Sequence, residues 1–180
     1  MLEAAHEAKK HGIDVVAGYI ELHDRPDTLK LTEGLEMIPP LWIEYKGVKF
    51  REFDLEQALK RKPKLILVDE LAHTNVAGCR NHKRYQDVKE LLRAGIDVYT
   101  TINIQHLESL NDLVGTITHI EVRERVPDRI FDHADQVEVI DIEPEDLIRR
   151  MQEGKSLSKA AGAEGAGSVF SVREKLSGTA

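Results

Sequence analysis

The chain reads as an α/β protein built on a parallel sheet, and three observations carry that reading. Apolar runs of strand length alternate with amphipathic, helix-length segments. That alternation implies right-handed strand–helix–strand crossovers. One run, Leu65-Ile66-Leu67-Val68, ends in two acids, Asp69-Glu70. A buried parallel strand ends this way when it delivers carboxylates to the carboxyl edge of a sheet, where α/β proteins bind nucleotides.

The elements follow in order. Ile13 to Ile20 is expected to be a buried strand, introduced by the helix stop His11-Gly12. Asp27 to Leu35 reads as a helix capped by Asp27, with Gly34 near its end. Leu41 to Tyr45 is a short strand after Pro39-Pro40, and Asp54 to Arg61 a helix capped by Asp54. Leu65 to Asp69 is the acid-tipped strand. Lys83 to Arg93 places Val88, Leu91 and Leu92 on one side of a helix that Gly95 ends. Ile96 to Thr101 is the next strand, Leu107 to Val114 a helix, and Ile120 to Arg125 extended; Pro127-Asp128 opens a further helical turn. Gln136 to Ile142 reads as a strand and Pro144 to Met151 as a helix. From Gly154 to Ala180 the composition turns to Gly, Ala, Ser and Lys, which predicts a flexible tail with room for a short helix at Val169 to Leu176.

Composition narrows the function. The 180 residues suffice for one domain with a real core, at 41% hydrophobic and 32% charged. A net charge of −7 argues against a nucleic-acid partner and against adsorption to anionic membranes. Cys79 is the single cysteine, so no internal disulfide forms and a reducing, cytoplasmic location is expected. The amino terminus lacks the character of a signal peptide, and no apolar run approaches the ~18 residues of a membrane span.

The acid-tipped strand carries the chemistry. In an ATPase the Asp of such a strand holds Mg²⁺, and the following Glu orients a water. Asp69 and Glu70 fit those roles, yet the chain contains no G-x-x-x-x-G-K-[ST] loop to cradle phosphates. The plainer reading is an acidic pair that ends a strand at a solvent edge. His73, with Thr74 and Asn75, reads as a loop at the same ligand edge. Thr100, Thr101, Asn103, Gln105 and His106 follow the next strand and should sit beside the acidic tip; Asn103 either senses a γ-phosphate or caps the helix beginning near Gln105. Glu70-x-x-His73 has the spacing of a di-metal carboxylate motif but no second copy. A zinc site of His73, Asp69, His82 and His106 is the other metal arrangement the sequence allows. Cys79 reads as an ordinary loop thiol, and Arg80, Lys83 and Arg84 as a cluster that contacts phosphate or acidic neighbours.

The stretches Asp69-Glu70-Leu71-Ala72-His73-Thr74-Asn75, Ala94-Gly95-Ile96-Asp97-Val98, Thr101-Ile102-Asn103-Ile104-Gln105-His106-Leu107-Glu108-Ser109-Leu110-Asn111-Asp112, Arg123-Glu124-Arg125-Val126-Pro127-Asp128 and Glu33-Gly34-Leu35-Glu36-Met37-Ile38-Pro39-Pro40 support a resemblance. They resemble the amino-terminal cytoplasmic domain of the KdpD family, the osmosensitive potassium-channel sensor histidine kinases, over about residues 1 to 154. The resemblance implies a three-layer P-loop NTPase-like fold with Walker A and Walker B motifs. It also implies a Mg-ATP ligand and a role in tuning the kinase and phosphatase balance of a membrane-bound two-component sensor that controls potassium uptake.

Against that pattern, Met1 falls a few residues beyond where the Lys-Thr of the phosphate loop would stand. The expected fold is therefore a P-loop type sheet lacking its first strand and phosphate loop. Burying such a strand is worth on the order of 10 kcal/mol, against a typical domain stability of about 5–15 kcal/mol. Losing it consumes most of that stability unless another strand or chain fills the gap. The Gly/Ala/Ser tail does not resemble the family's continuation, so the expectation is a gene fragment with residues 1–153 as the partial sensor domain and 154–180 as the tail.

The expected function is a fragment of a nucleotide-binding regulatory region, without catalytic activity of its own. A histidine kinase needs a phospho-accepting His on a dimerising helix and a separate ATP-binding domain, and the chain has room for neither. The site residues are Asp69, Glu70, His73, Thr101, Asn103 and Gln105, with Asp69 toward Mg²⁺ and Mg-ATP held weakly or not at all. The partner is the remainder of the sensor kinase. Two other readings stand beside it: a nucleotide-independent module that pairs through its sheet edge, and a gene remnant without function.

Overall fold

The computed structural model describes residues 1–22, 26–119, 122–141 and 169–174. Helix α1 (Leu2–Lys10) leads into strand β1 (Val15–Tyr19), and α2 (Pro26–Thr32) into a two-residue strand, β2 (Glu36–Met37). Strands β3 (Leu41–Tyr45) and β4 (Val48–Glu52) follow, then α3 (Leu55–Arg61) and β5 (Leu65–Val68). Next come α4 (Arg84–Arg93), β6 (Asp97–Asn103), a 3₁₀ turn over Ile104–His106 and α5 (Glu108–Thr118). The described residues end with α6 (Asp128–Asp132), β7 (Gln136–Ile140) and β8 (Val169–Glu174).

The main sheet runs β2-β1-β5-β6-β8-β7. Its first four strands are parallel, as the alternation of elements predicts. Strands β1 and β5 are buried along their whole length, which only a sheet covered on both faces allows. Leu65 and Leu67 face a core shared with Leu2 and Ala5 of α1, Val15, Ala17 and Tyr99. Ile66 and Val68 face the opposite core, with Leu55 and Ala58 of α3 and Val88 and Leu91 of α4. Two cores on one sheet make three layers.

Local chemistry sets several boundaries. The Asp54 side chain accepts from Gln57 N at 2.9 Å, the cap expected of it. The Lys83 N–H donates to Gln86 Oε1 at 2.9 Å, which satisfies a free donor at the start of α4. Gly95, at φ 79°, ends α4 as anticipated.

Several expectations are corrected. Helix α2 begins at Pro26, so Asp27 lies inside it rather than capping it, and Leu35 is beyond its end. The segment after Leu41–Tyr45 is a second strand, β4, and β3 and β4 form an antiparallel hairpin of their own. Its turn is Lys46-Gly47, with φ of 52° and 78°, the twist that suits a two-residue hairpin loop. The helix expected at Val169 to Leu176 is strand β8, antiparallel to both β6 and β7. The far side of the sheet is therefore not parallel to its neighbour, and a strand from the tail lies along the outer edge of β6. Residues 122–125 form no regular element, and Val126 bridges to Leu107. The helix expected at Pro144 to Met151, and most of the Gly/Ala/Ser tail, lie outside the described residues.

Candidate functional site

The tip of β5 is tied to both of its neighbours. Asp69 N donates to Tyr19 O at the end of β1 (2.9 Å), and Leu71 N to Thr101 O near the end of β6 (2.9 Å). These bonds bring the carboxyl ends of three parallel strands together, the edge at which such sheets bind ligands. Asp69 is held by three donors: the Thr101 hydroxyl and Glu70 N (3.1 Å) on Oδ1, and Glu21 N (3.2 Å) on Oδ2.

Glu70 has φ of 57°, a left-handed conformation that a residue with a side chain adopts at a cost of about 1–2 kcal/mol. The strand ends there and the chain turns, with His73 N donating to Glu70 O at 3.0 Å. Burial raises the pKa of Glu70 above the usual carboxylate range, and the adjacent charge of Asp69 adds to it. Paired acids that repel in this way are relieved by a cation.

Beneath the tip lies a set of buried charges. Arg84, fully buried at the start of α4, donates to Asp69 O (3.2 Å) and to Glu52 Oε2 (3.1 Å). It stands 3.9 Å from Glu70 Oε2. Glu52, the last residue of β4, is itself buried and accepts from Val76 N (3.0 Å) while His73 Nε2 lies 3.1 Å from both its oxygens. Burial works against the Glu52 carboxylate, yet the bonds from His73 and Val76 hold its pKa below the usual value. The guanidinium groups of Arg84 and Arg51 lie over the Tyr19 ring, 4.1 and 4.9 Å from its centre. Tyr19 in turn donates to Glu21 Oε2 at 2.9 Å.

The structure thus joins Asp69, Glu70 and Thr101 by direct hydrogen bonds. His73 reaches Glu52, with Nδ1 4.0 Å from Glu70 Oε2. Asn103 ends β6 two residues beyond Thr101 and so shares its face of the strand; it opens the 3₁₀ turn without a side-chain cap bond. Gln105 lies in that turn and receives Asn111 Nδ2 on its carbonyl at 2.9 Å. Thr100 points the other way and is buried. His106 Nδ1 pairs with Glu124 O at 2.9 Å. Among the described residues no group of three or more His, Cys, Asp and Glu is arranged to hold a metal ion. Cys79 is pushed up to about 11 by burial and by the charges of Glu52 and Asp87, the behaviour of an inert loop thiol. Arg80 pairs with Glu56 (2.5 Å) and Glu90 (2.7 Å), the acidic neighbours expected of the cluster.

Glu21, Glu52, Tyr19, Arg51 and the buried position of Arg84 escape the sequence reading. Arg84 follows Lys83 and looks like a surface charge. The available signal was the Trp42-to-Glu52 alternation around Lys46-Gly47, which marks a hairpin delivering Glu52 back toward the sheet.

An α/β domain that gathers an acidic strand tip over a buried arginine is the class of molecule defined here. The family model for the "Osmosensitive K+ channel His kinase sensor domain" matches residues 1–178, and the chain belongs to that family, KdpD. The matched span extends past residue 154. The chain is 60% identical over 159 residues to the sensor protein KdpD of Clostridium acetobutylicum, covering 88% of this chain and 18% of that protein. It is 56% identical over 154 residues to the Mycobacterium tuberculosis sensor protein KdpD, covering 86% and 18%. Against the Escherichia coli sensor protein KdpD the identity is 53% over 155 residues, covering 86% and 17%. The chain therefore spans less than a fifth of the length of these relatives. No helix among the described residues is long and apolar enough to cross a membrane.

Proposed function

We propose that this chain is a nucleotide-responsive regulatory piece of a potassium-sensing two-component kinase, with the Asp69–Glu70 edge as its ligand-facing element. It is read as a P-loop type domain without its own phosphotransfer chemistry. The observation that carries the reading is the acidic tip of β5, gathered against Thr101 and Tyr19 at the carboxyl end of three parallel strands.

The residues fit one half of Mg-ATP. Asp69, fixed by Thr101, Glu70 N and Glu21 N, lies at the edge with carboxyl oxygens of the kind that hold Mg²⁺ or its water shell. Glu70, with its raised pKa, is suited to take a proton from a nearby water or to hold it in place. The bound cation would supply charge neutralisation between phosphate and carboxylates. The phosphate half is not matched, because the sequence holds no glycine-rich Lys-Ser/Thr loop. Binding by this chain alone is therefore weak, at a dissociation constant of about 1 mM, or roughly 4 kcal/mol. Titration calorimetry with Mg-ATP tests it: weak, Mg-dependent heat that Asp69→Ala abolishes supports the reading, and identical heats in both proteins refute it.

A protein-pairing role has its own support. The β3–β4 hairpin exposes Trp42, Tyr45, Val48 and Phe50, apolar surface of the kind a partner covers. The remainder of the sensor kinase is the partner this reading names.

A further inference from the structure

We propose that Arg84 is a positioning residue that couples the Asp69–Glu70 edge to the β3–β4 hairpin. The coupling is carried by contacts within this chain; only what would occupy the edge rests on the function proposed above.

Arg84 touches both ends of the connection. On the edge side it donates to the carbonyl of Asp69 at 3.2 Å and lies 3.9 Å from Glu70 Oε2. On the hairpin side it donates to Glu52 Oε2 at 3.1 Å, and Glu52 is paired across the ladder with Leu41 at the hairpin's base. A second line runs through Tyr19, whose ring lies under both Arg84 and Arg51. Arg51 donates to Ile20 O at 2.7 Å and is paired across the hairpin with Trp42. His73 closes the circuit, set between Glu52 (3.1 Å) and Glu70 (4.0 Å).

Charge gives these contacts a direction. Glu52 and Glu70 share one guanidinium and one imidazole. A change of charge at Glu70, by a bound cation or by protonation, alters how strongly it draws on Arg84 and His73. Glu52, with a side chain only 2% exposed, then has to be satisfied by whichever donors remain. Stability does not explain the set well. Apolar residues of similar volume commonly serve a buried site as well as an ion pair does, and Arg84 Nε and Asn75 Oδ1 have no hydrogen-bond partner among the described residues. A buried arginine that leaves one donor idle is better placed for exchange than for strength.

Trp42 is the single tryptophan of the chain, so its emission reports the hairpin alone. In the full chain, Glu70→Gln should shift Trp42 emission, and the shift should be lost in the Arg84→Lys background, which keeps the charge but not the two-pronged donor. Glu52→Gln provides an independent break that retains an acceptor for Arg84, and it should abolish the shift as well. Near-ultraviolet circular dichroism identifies the variants that fold, and either break alone suffices. The proposal is overturned if Glu70→Gln leaves Trp42 unchanged, or if its shift persists undiminished in a folded Arg84→Lys or Glu52→Gln chain. Calorimetry with Mg-ATP on the same proteins separates the two ideas. A Trp42 shift without nucleotide binding keeps the coupling and removes the nucleotide reading; binding with a silent Trp42 keeps the nucleotide reading and removes the coupling.

Discussion

Asp69 and Glu70 are neighbours in sequence but differ in what the fold asks of them. Asp69 accepts from two backbone N–H groups and one hydroxyl, whereas burial and its neighbour's charge set Glu70 against its ionised form. A carboxyl whose folded pKa lies above its unfolded value of 4.5 binds its proton more tightly when folded, so it subtracts stability as pH rises through that value. Glu70→Gln should therefore raise the melting temperature at neutral pH, and the gain should vanish well below pH 4.5. Glu52 has the opposite sign. Its folded pKa is depressed, so its contribution is present above 4.5 and is lost as pH falls through the folded value. Removing its partner by Arg84→Met should cost about 3–5 kcal/mol in urea unfolding, because a buried carboxylate loses its charge partner. The acidic pair was legible in the sequence because four apolar residues precede it. Arg84 was not, since the burial of a charge depends on a carboxylate 32 positions away.

At the scale of elements, periodicity located the parallel strands β1, β5 and β6 to within two residues, because strands buried on both faces leave continuous apolar runs. It missed β4, whose Val48-Lys49-Phe50-Arg51 alternates and mixes in charge, as one strand of an exposed hairpin does. It also missed β8, where Ser and Arg interrupt a short apolar pattern in a Gly/Ala/Ser context. Gly18 shows what local sequence reading cannot weigh. It sits where the β1–β5 register slips, and a Cβ there would stand 2.8 Å from both Ile66 Cδ1 and Phe53 Cε2. Gly18→Ala should cost about 1–3 kcal/mol by overpacking. Denaturant melts check it, with Gly12→Ala as a contrast: Gly12 has open space around it, so its penalty is the strain of its φ of 79° alone.

On the scale of the whole molecule, three layers enclose two cores, and the edge of β6 is lined by a strand from the carboxyl-terminal segment. Strands β5 and β6 pair directly with each other, and β8 lies on the outer side of β6, antiparallel and paired along six of its residues. The family resemblance was legible in motifs that join loop residues such as His73 and Asn75 to buried ones such as Leu71, Ile96 and Leu107. The nucleotide role depends on whether that end still binds Mg-ATP. The direct measurement is a thermal melt of the full chain with and without Mg-ATP at about ten times a millimolar dissociation constant. A ligand bound only by the folded state should then add about 1.4 kcal/mol, or roughly 3–6 °C for a domain of this size. A cooperative transition raised by that amount, and not raised in Asp69→Ala, is the predicted result. A cooperative transition that Mg-ATP leaves unmoved would contradict the account.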